Sequence, residues 1–152
     1  MCSSDLLVHL AGGYAGGAVS ETAGEAWRQM LDLNLTSAFF VIREVLARMR
    51  RDAPGRIVAI SSIASIEKMK GAAAYVVSKS ALNALIEVTA AEIAGTGITA
   101  NALLPGTLDT PPMRQAMPNA RRVPLDRVAE AILFLLSDGA ANINGALIPL
   151  RP

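Results

Sequence analysis

Residues 61–79, SSIASIEKMKGAAAYVVSK, set two hydroxyls, a phenol and an amine within one short stretch. Tyr75 and Lys79 stand four positions apart, so a helix running through them puts both on one face. Twelve residues lie between Ser62 and Tyr75, enough for a loop that folds the serine hydroxyl back toward the phenol. Together these three side chains outline an acid/base site. Ser61 reads as a hydroxyl at the end of a strand.

Such a site needs a frame, and the chain supplies alternating elements. Leu6 to Leu10 is an apolar run reading as a strand buried on both faces, stopped by Ala11-Gly12-Gly13. Thr22 followed three residues later by Glu25 has the form of a capping box. It opens one long helix, residues 23–50, whose face is expected to carry Trp27, Leu31, Leu35, Ala38, Ile42, Val45 and Met49. Trp27 reads as a core anchor, and Asn34 as a polar exception mid-helix. Arg56 to Ile60 is a second strand. Residues 72–94 are helical again, with Val77, Ala81, Ala84, Val88 and Ala91 on one face and Leu82, Leu85 and Ile86 beside it.

Ile98 to Leu104 is a third strand, ended by Pro105-Gly106. Pro111, Pro112 and Pro118 make residues 107–123 a flap with too much proline for a regular helix. Pro124 fits the first turn of a last helix through Val128, Ala131, Ile132, Leu135 and Leu136, and residues 146–150 give a fourth strand. Strands alternating with helices imply an α/β fold: a parallel sheet with helices on both faces, three layers in all. The ligand site of such a sheet lies beyond the carboxyl ends of its strands.

Bulk properties narrow the functions. A 152-residue chain, 52% hydrophobic, is long enough for one domain with a real core. A net charge of +1 leaves no excess for nucleic acid or an acidic membrane, and the five arginines from Arg43 to Arg56 read as solvated surface. One cysteine, Cys2, excludes an internal disulfide, and one histidine, His9, reads as a packed strand residue rather than a metal ligand. Asp32, Asn34 and Arg43 interrupt the most apolar stretch, so no membrane span is expected, and a cytoplasmic setting is the default. Met1 to Asp5 is expected to be non-native, because Cys-Ser-Ser-Asp-Leu is what one reading frame of a common sequencing adapter encodes. The domain is then residues 6–152.

These residues resemble the short-chain dehydrogenase/reductase family from Leu6 to Leu150. The marks are Tyr75-Val-Val-Ser-Lys79, the upstream Ser62, Asn34 within Leu33-Asn34-Leu35, Ala11-Gly12 as the tail of a turn, and Pro105-Gly106-Thr-Leu-Asp-Thr110. The resemblance implies an NAD(P)-dependent oxidoreductase, with NAD or NADP as cofactor and a small carbonyl or alcohol compound as substrate. By the same resemblance Tyr75 is the general acid/base, Lys79 favours its phenolate and holds the nicotinamide ribose, Ser62 polarises the substrate oxygen, and Asn34 holds a water in a proton relay. Ala11 and Gly12 would meet the nearer ribose, and Pro105, Gly106, Leu108 and Thr110 the cofactor's carboxamide and phosphates.

Two loops, residues 11–17 and 107–118, are similar to those of dihydropteridine reductases, although that branch lacks a serine at the place of Ser62. Carbonyl and 3-oxoacyl reductases fit equally. Leu10 stands where the family usually has asparagine. The family's fold also begins with a βαβαβ half whose glycine-rich turn cradles the pyrophosphate, and that half is not among these residues. The resemblance therefore implies a partial Rossmann fold, an exposed edge at Leu6 to Leu10, and poor cofactor binding by these residues alone. It also implies a homodimer or homotetramer through the helices 23–50 and 72–94. The rival reading is a non-catalytic oligomerising domain that has lost cofactor binding.

Overall fold

A computed structural model describes residues 6–152, so the expectation for Met1 to Asp5, Cys2 included, lies outside the described residues. Four strands form one sheet in the order β1-β2-β3-β4: β1 is Leu6–His9, β2 Gly55–Ile60, β3 Ile98–Pro105 and β4 Leu147–Leu150. Every pairing is parallel, with Leu6 opposite Arg56, Gly55 opposite Ile98 and Ala102 opposite Leu147. Short runs of branched residues build these strands. The middle pair is buried almost throughout, as expected of strands covered on both sides.

Between β1 and β2 run α1, Gly24–Leu31, a π-helical turn, Asp32–Thr36, and α2, Ser37–Leu46. The single long helix anticipated from the sequence is thus interrupted by a wider turn. Met30, Asn34, Ala38 and Ile42 are the residues that it buries. A spacing of four drifts by about 40° per step on an α-helix, and the extra residue of the π turn brings Asn34 back into line. The same residue explains an error. Extrapolating α-helical spacing from Ala38 toward the N-terminus selects Trp27, whereas Trp27 is 37% exposed and does not anchor the core. The capping box is absent too: Ala23 is the N-cap with no side-chain bond, and Thr22 donates its hydroxyl to the Ala18 carbonyl at 2.8 Å.

After β2 come the short α3, Ala64–Glu67, and the long α4, Ala73–Glu92. Helix α4 buries Leu82, Ile86 and Ala90, while Val77, Ala84, Val88 and Ala91 point outward. Of the two apolar faces that the spacing suggests, the one through Leu82 and Ile86 is therefore the inner one. Apolar residues surround this helix, and its inner face also carries the buried Ser78, Asn83 and Thr89, so hydrophobicity alone does not distinguish the sides. The flap holds a helix after all, α5 at Pro111–Ala116, because its two leading prolines occupy first-turn positions where no amide bond is lost. Helix α6 is Leu125–Leu136, with Pro124 just outside it as the N-cap.

Two cores flank the sheet. Ile42, Ile57, Leu82, Ile86 and Leu104 pack on the side of α2 and α4, and Val58, Leu103 and Leu135 on the side of α6. The strand β1 is an edge, and Leu6 and Leu10 are exposed there, so it is not buried on both faces. Arg56 departs from the solvated reading of the arginines: it is buried and donates to the carbonyls of Gly55 and Gly97 at 2.9 and 3.1 Å. Among the described residues no helix is long and apolar enough to cross a membrane.

The inward face of α4 can be tested by substitution. Ile86→Ala is expected to lower stability by about 2–5 kcal/mol, and Val88→Ala by less than about 0.5 kcal/mol, in urea denaturation. A larger loss at Val88 than at Ile86 would put the helix the other way round.

Candidate active site at the carboxyl ends of β1 and β2

The strand β1 ends at His9, and the chain turns at once through Gly12 and Gly13. Asn34 holds that turn from below. Its side-chain oxygen accepts the Gly13 amide at 2.9 Å, and its side-chain nitrogen donates to the Gly13 carbonyl at 3.0 Å and to the Ser78 hydroxyl at 3.0 Å. The residue is 0% exposed. Ser78 in turn donates to the Tyr75 carbonyl at 2.8 Å, which ties the first turn of α4 to the same amide. Gly12 sits between Asn34 and Lys79: a Cβ there would lie 2.8 Å from Asn34 Oδ1 and 3.0 Å from Lys79 Nζ. Glycine is required at this position by space, with no unusual backbone angle involved.

The loop after β2 brings in the serines. Its backbone continues the ladder, with the Ser61 amide donating to the Leu103 carbonyl at 2.8 Å and the Ile63 amide to the Pro105 carbonyl at 3.0 Å. The Ser61 hydroxyl donates to the Lys79 carbonyl at 3.2 Å, in keeping with a strand-end role. The Ser62 hydroxyl accepts the Ala64 amide at 3.2 Å, which leaves its own proton free to point elsewhere. Behind it, Ser65 donates to the Ser62 carbonyl at 2.6 Å and accepts from Asn83 at 2.8 Å.

The electrostatics follow from burial. The Tyr75 phenol is pushed above its ordinary value, mainly by burial, while a hydrogen bond with Ser62 pulls it down and Tyr14 adds a smaller upward push. Lys79 is lowered to about 8 by burial. Its ammonium donates to the Ile60 carbonyl at 2.9 Å. The amine is thus turned to the end of β2. His9, buried with its Nε2 unpartnered, is lowered by burial first and then by Lys79, which accords with a packed strand residue.

The third loop leaves the same sheet edge after β3, beside the loop that carries Ser62. Leu108 pairs with Val123, the Asp109 amide donates to the Val123 carbonyl at 2.9 Å, and Thr110 leads into α5. Asp109 also accepts from Arg114 at 2.8 and 2.9 Å and faces Arg122, which closes the flap at its neck. Pro105 and Gly106 end β3 beside β4, where the Gly106 amide donates to the Leu150 carbonyl at 2.9 Å.

A phenol, an amine and a serine hydroxyl therefore meet where two parallel strands end, over a glycine turn fixed by a buried asparagine. Comparison with known proteins assigns the family. The family model described as Enoyl-(Acyl carrier protein) reductase matches residues 2–150. The chain belongs to the short-chain dehydrogenase/reductase family. It is 33% identical to a cyclopentanol dehydrogenase of Comamonas sp., over 93% of this chain and 62% of that protein. A short-chain type dehydrogenase/reductase from Mycobacterium ulcerans superposes with a TM-score of 0.90 at 30% identity, covering 96% of this chain and 58% of that one. The actinorhodin polyketide ketoreductase solved with NADPH gives a TM-score of 0.86 at 30% identity, over 97% and 66% of the two chains. The chain thus spans less than two thirds of the length of the curated relatives that head the comparison.

Oxidoreductase chemistry of the short-chain type is what these relatives share. Sequence reading missed three site residues: Ser78, Ser65 and Tyr14. Ser78 directly precedes Lys79 and lies three residues after Tyr75, so the helical spacing that pairs those two also turns it inward. No comparable signal marked Tyr14, since a loop residue has no periodicity to read.

The burial of Lys79 gives a pH signature. Below about pH 8 the folded and unfolded chains both carry the proton, and the fold bears the full burial penalty. Between about 8 and 10.5 only the unfolded chain keeps it, so folding gains stability as pH rises through that window. Lys79→Met removes the titration. Its stability relative to the parent chain is expected to fall by about 1–3 kcal/mol between pH 7 and pH 10 in urea denaturation. A constant difference would contradict the burial of a charged amine.

Proposed function

We propose that these residues form the catalytic part of a cytoplasmic NAD(P)-dependent oxidoreductase that reduces a carbonyl or imine-like group, or oxidises the corresponding alcohol. The observation that carries this reading is the meeting of Tyr75, Ser62 and Lys79 at the ends of β1 and β2. Tyr75 gives its proton to the substrate oxygen as reduction proceeds and takes one back in oxidation. Ser62 donates a hydrogen bond to the same oxygen, with Ala64 and Ser65 fixing its position. A positioned acid of this kind contributes about 10²–10⁴-fold.

The residues present fit the nicotinamide end of the cofactor. Lys79 has three ammonium protons and directs one to Ile60, which leaves donors for ribose hydroxyls. Gly12 keeps the floor beside Lys79 free of a side chain, and Ala11, Pro105, Gly106, Leu108 and Thr110 border the same sheet edge. When bound, the nicotinamide supplies or accepts the hydride. Asn34 bonds Gly13 and Ser78 through its side chain, with its nitrogen also against the Met30 sulfur, so its first part is to hold the site together. Among the described residues the Gly13 amide, which could have faced a phosphate, is already bonded to Asn34.

The outward residues Phe39, Phe40 and Val41 on α2, with Val77 and Val88 on α4, favour a homodimer or homotetramer that covers them. They also favour the rival reading, an oligomerising domain without catalysis. Cofactor and turnover separate the two. Calorimetry on the 152-residue chain is expected to show weak NAD(P)H binding at most. Joined in frame behind a glycine-rich βαβαβ half, the same residues should catalyse NAD(P)H-dependent carbonyl reduction, and Tyr75→Phe should lower kcat by about 10²-fold or more with the fold intact. Unchanged turnover in that variant would refute the assignment.

A further inference from the structure

Tyr14 lies in the loop between the two anchored ends of the β1–α1 connection. On one side Gly13 is gripped by Asn34 through both its amide and its carbonyl. On the other, the Gly17 amide donates to the Gly71 carbonyl at 2.7 Å, and the Gly17 carbonyl accepts the Ala73 amide at 2.9 Å. Gly17 thereby pairs with Ala72, immediately before α4. Tyr14 is held between these points. Its ring meets the Tyr75 ring edge-on, with centroids 5.0 Å apart and planes at 69°. Edge-to-face pairs of this kind are attractive beyond the area they bury.

Yet Tyr14 remains 62% exposed, so its packing serves the fold little. We propose that Tyr14 is a positioning residue of the proton-transfer site: its ring holds the Tyr75 phenol toward Ser62 and keeps water from it until a substrate takes that place. The proposal rests on the reading of Tyr75 as proton donor, but its test needs neither cofactor nor turnover. The groups facing Tyr75 are Ser62 from the loop after β2 and Tyr14 from the loop after β1, while Lys79 on the same helix is turned to Ile60. A phenol screened in this way keeps its proton in the absence of substrate, as a general acid must.

The chain has only two tyrosines, so phenolate absorbance near 295 nm reports Tyr14 and Tyr75 alone. In Tyr14→Phe the ring is kept and Tyr75 titrates by itself; in Tyr14→Leu the ring is gone. The Tyr75 midpoint is expected to stay high in Tyr14→Phe and to drop by about half a pH unit or more in Tyr14→Leu. At neutral pH, where no alkaline unfolding intervenes, the Tyr75 ring protons should keep their NMR shifts in the first variant and move in the second. Equal midpoints, or Tyr75 ring shifts that ignore the loss of Tyr14, would overturn the proposal. Failure here would leave the oxidoreductase assignment untouched, whereas that assignment fails on the turnover of Tyr75→Phe.

Discussion

One buried side chain joins the three parts on which the site depends. Asn34 belongs to the π turn between α1 and α2, bonds both polar groups of Gly13 in the loop after β1, and donates to Ser78 on α4. Those bonds cannot be replaced by water, since the residue is fully buried. An unsatisfied buried amide costs about 1–3 kcal/mol, so the loop, the helix pair and α4 are held to one arrangement. The π turn is what brings Asn34 to that position. Without its extra residue the side chain would rotate off the buried line of Met30, Ala38 and Ile42.

The sheet then decides where chemistry can happen. Parallel strands all present their carboxyl ends to the same edge, and the loops after β1, β2 and β3 leave from it. Tyr75 and Lys79 reach that edge from the first turns of α4, and Ser62 from the loop after β2. Burial raises the phenol and lowers the amine to about 8, which moves the two apart, so that the amine gives up its proton before the phenol does. The amine is bonded to Ile60, and Ser62 faces the phenol and pulls its pKa down against the push of burial.

The strands, their parallel order and the helices on both faces could be read from alternation, because short branched runs bounded by glycine and proline are local signals. Tyr75, Lys79 and Ser62 were legible for a similar reason: their spacing encodes a helix and a returning loop. The misreadings share a physical origin. Trp27 reads as an inner residue because α-helical spacing does not allow for a π turn, and the inner face of α4 is hard to read because the helix is apolar all round while Asn83 and Thr89 take inner positions. Arg56 reads as surface because its partners are the backbone carbonyls of Gly55 and Gly97 and the carboxylate of Asp138, far along the chain, none of which shows in local side-chain patterning. Tyr14 and the direction of the Lys79 amine depend on how loops meet, and that is decided by tertiary contacts alone.

Hydrogen exchange of the Gly13 amide tests this account at its centre. The bond to Asn34 predicts a Gly13 amide protected in the parent chain and exchanging freely in Asn34→Leu, with the β2 and β3 amides protected in both. A Gly13 amide that exchanges at the rate of an open loop in the parent chain would contradict the claim that Asn34 holds the site together.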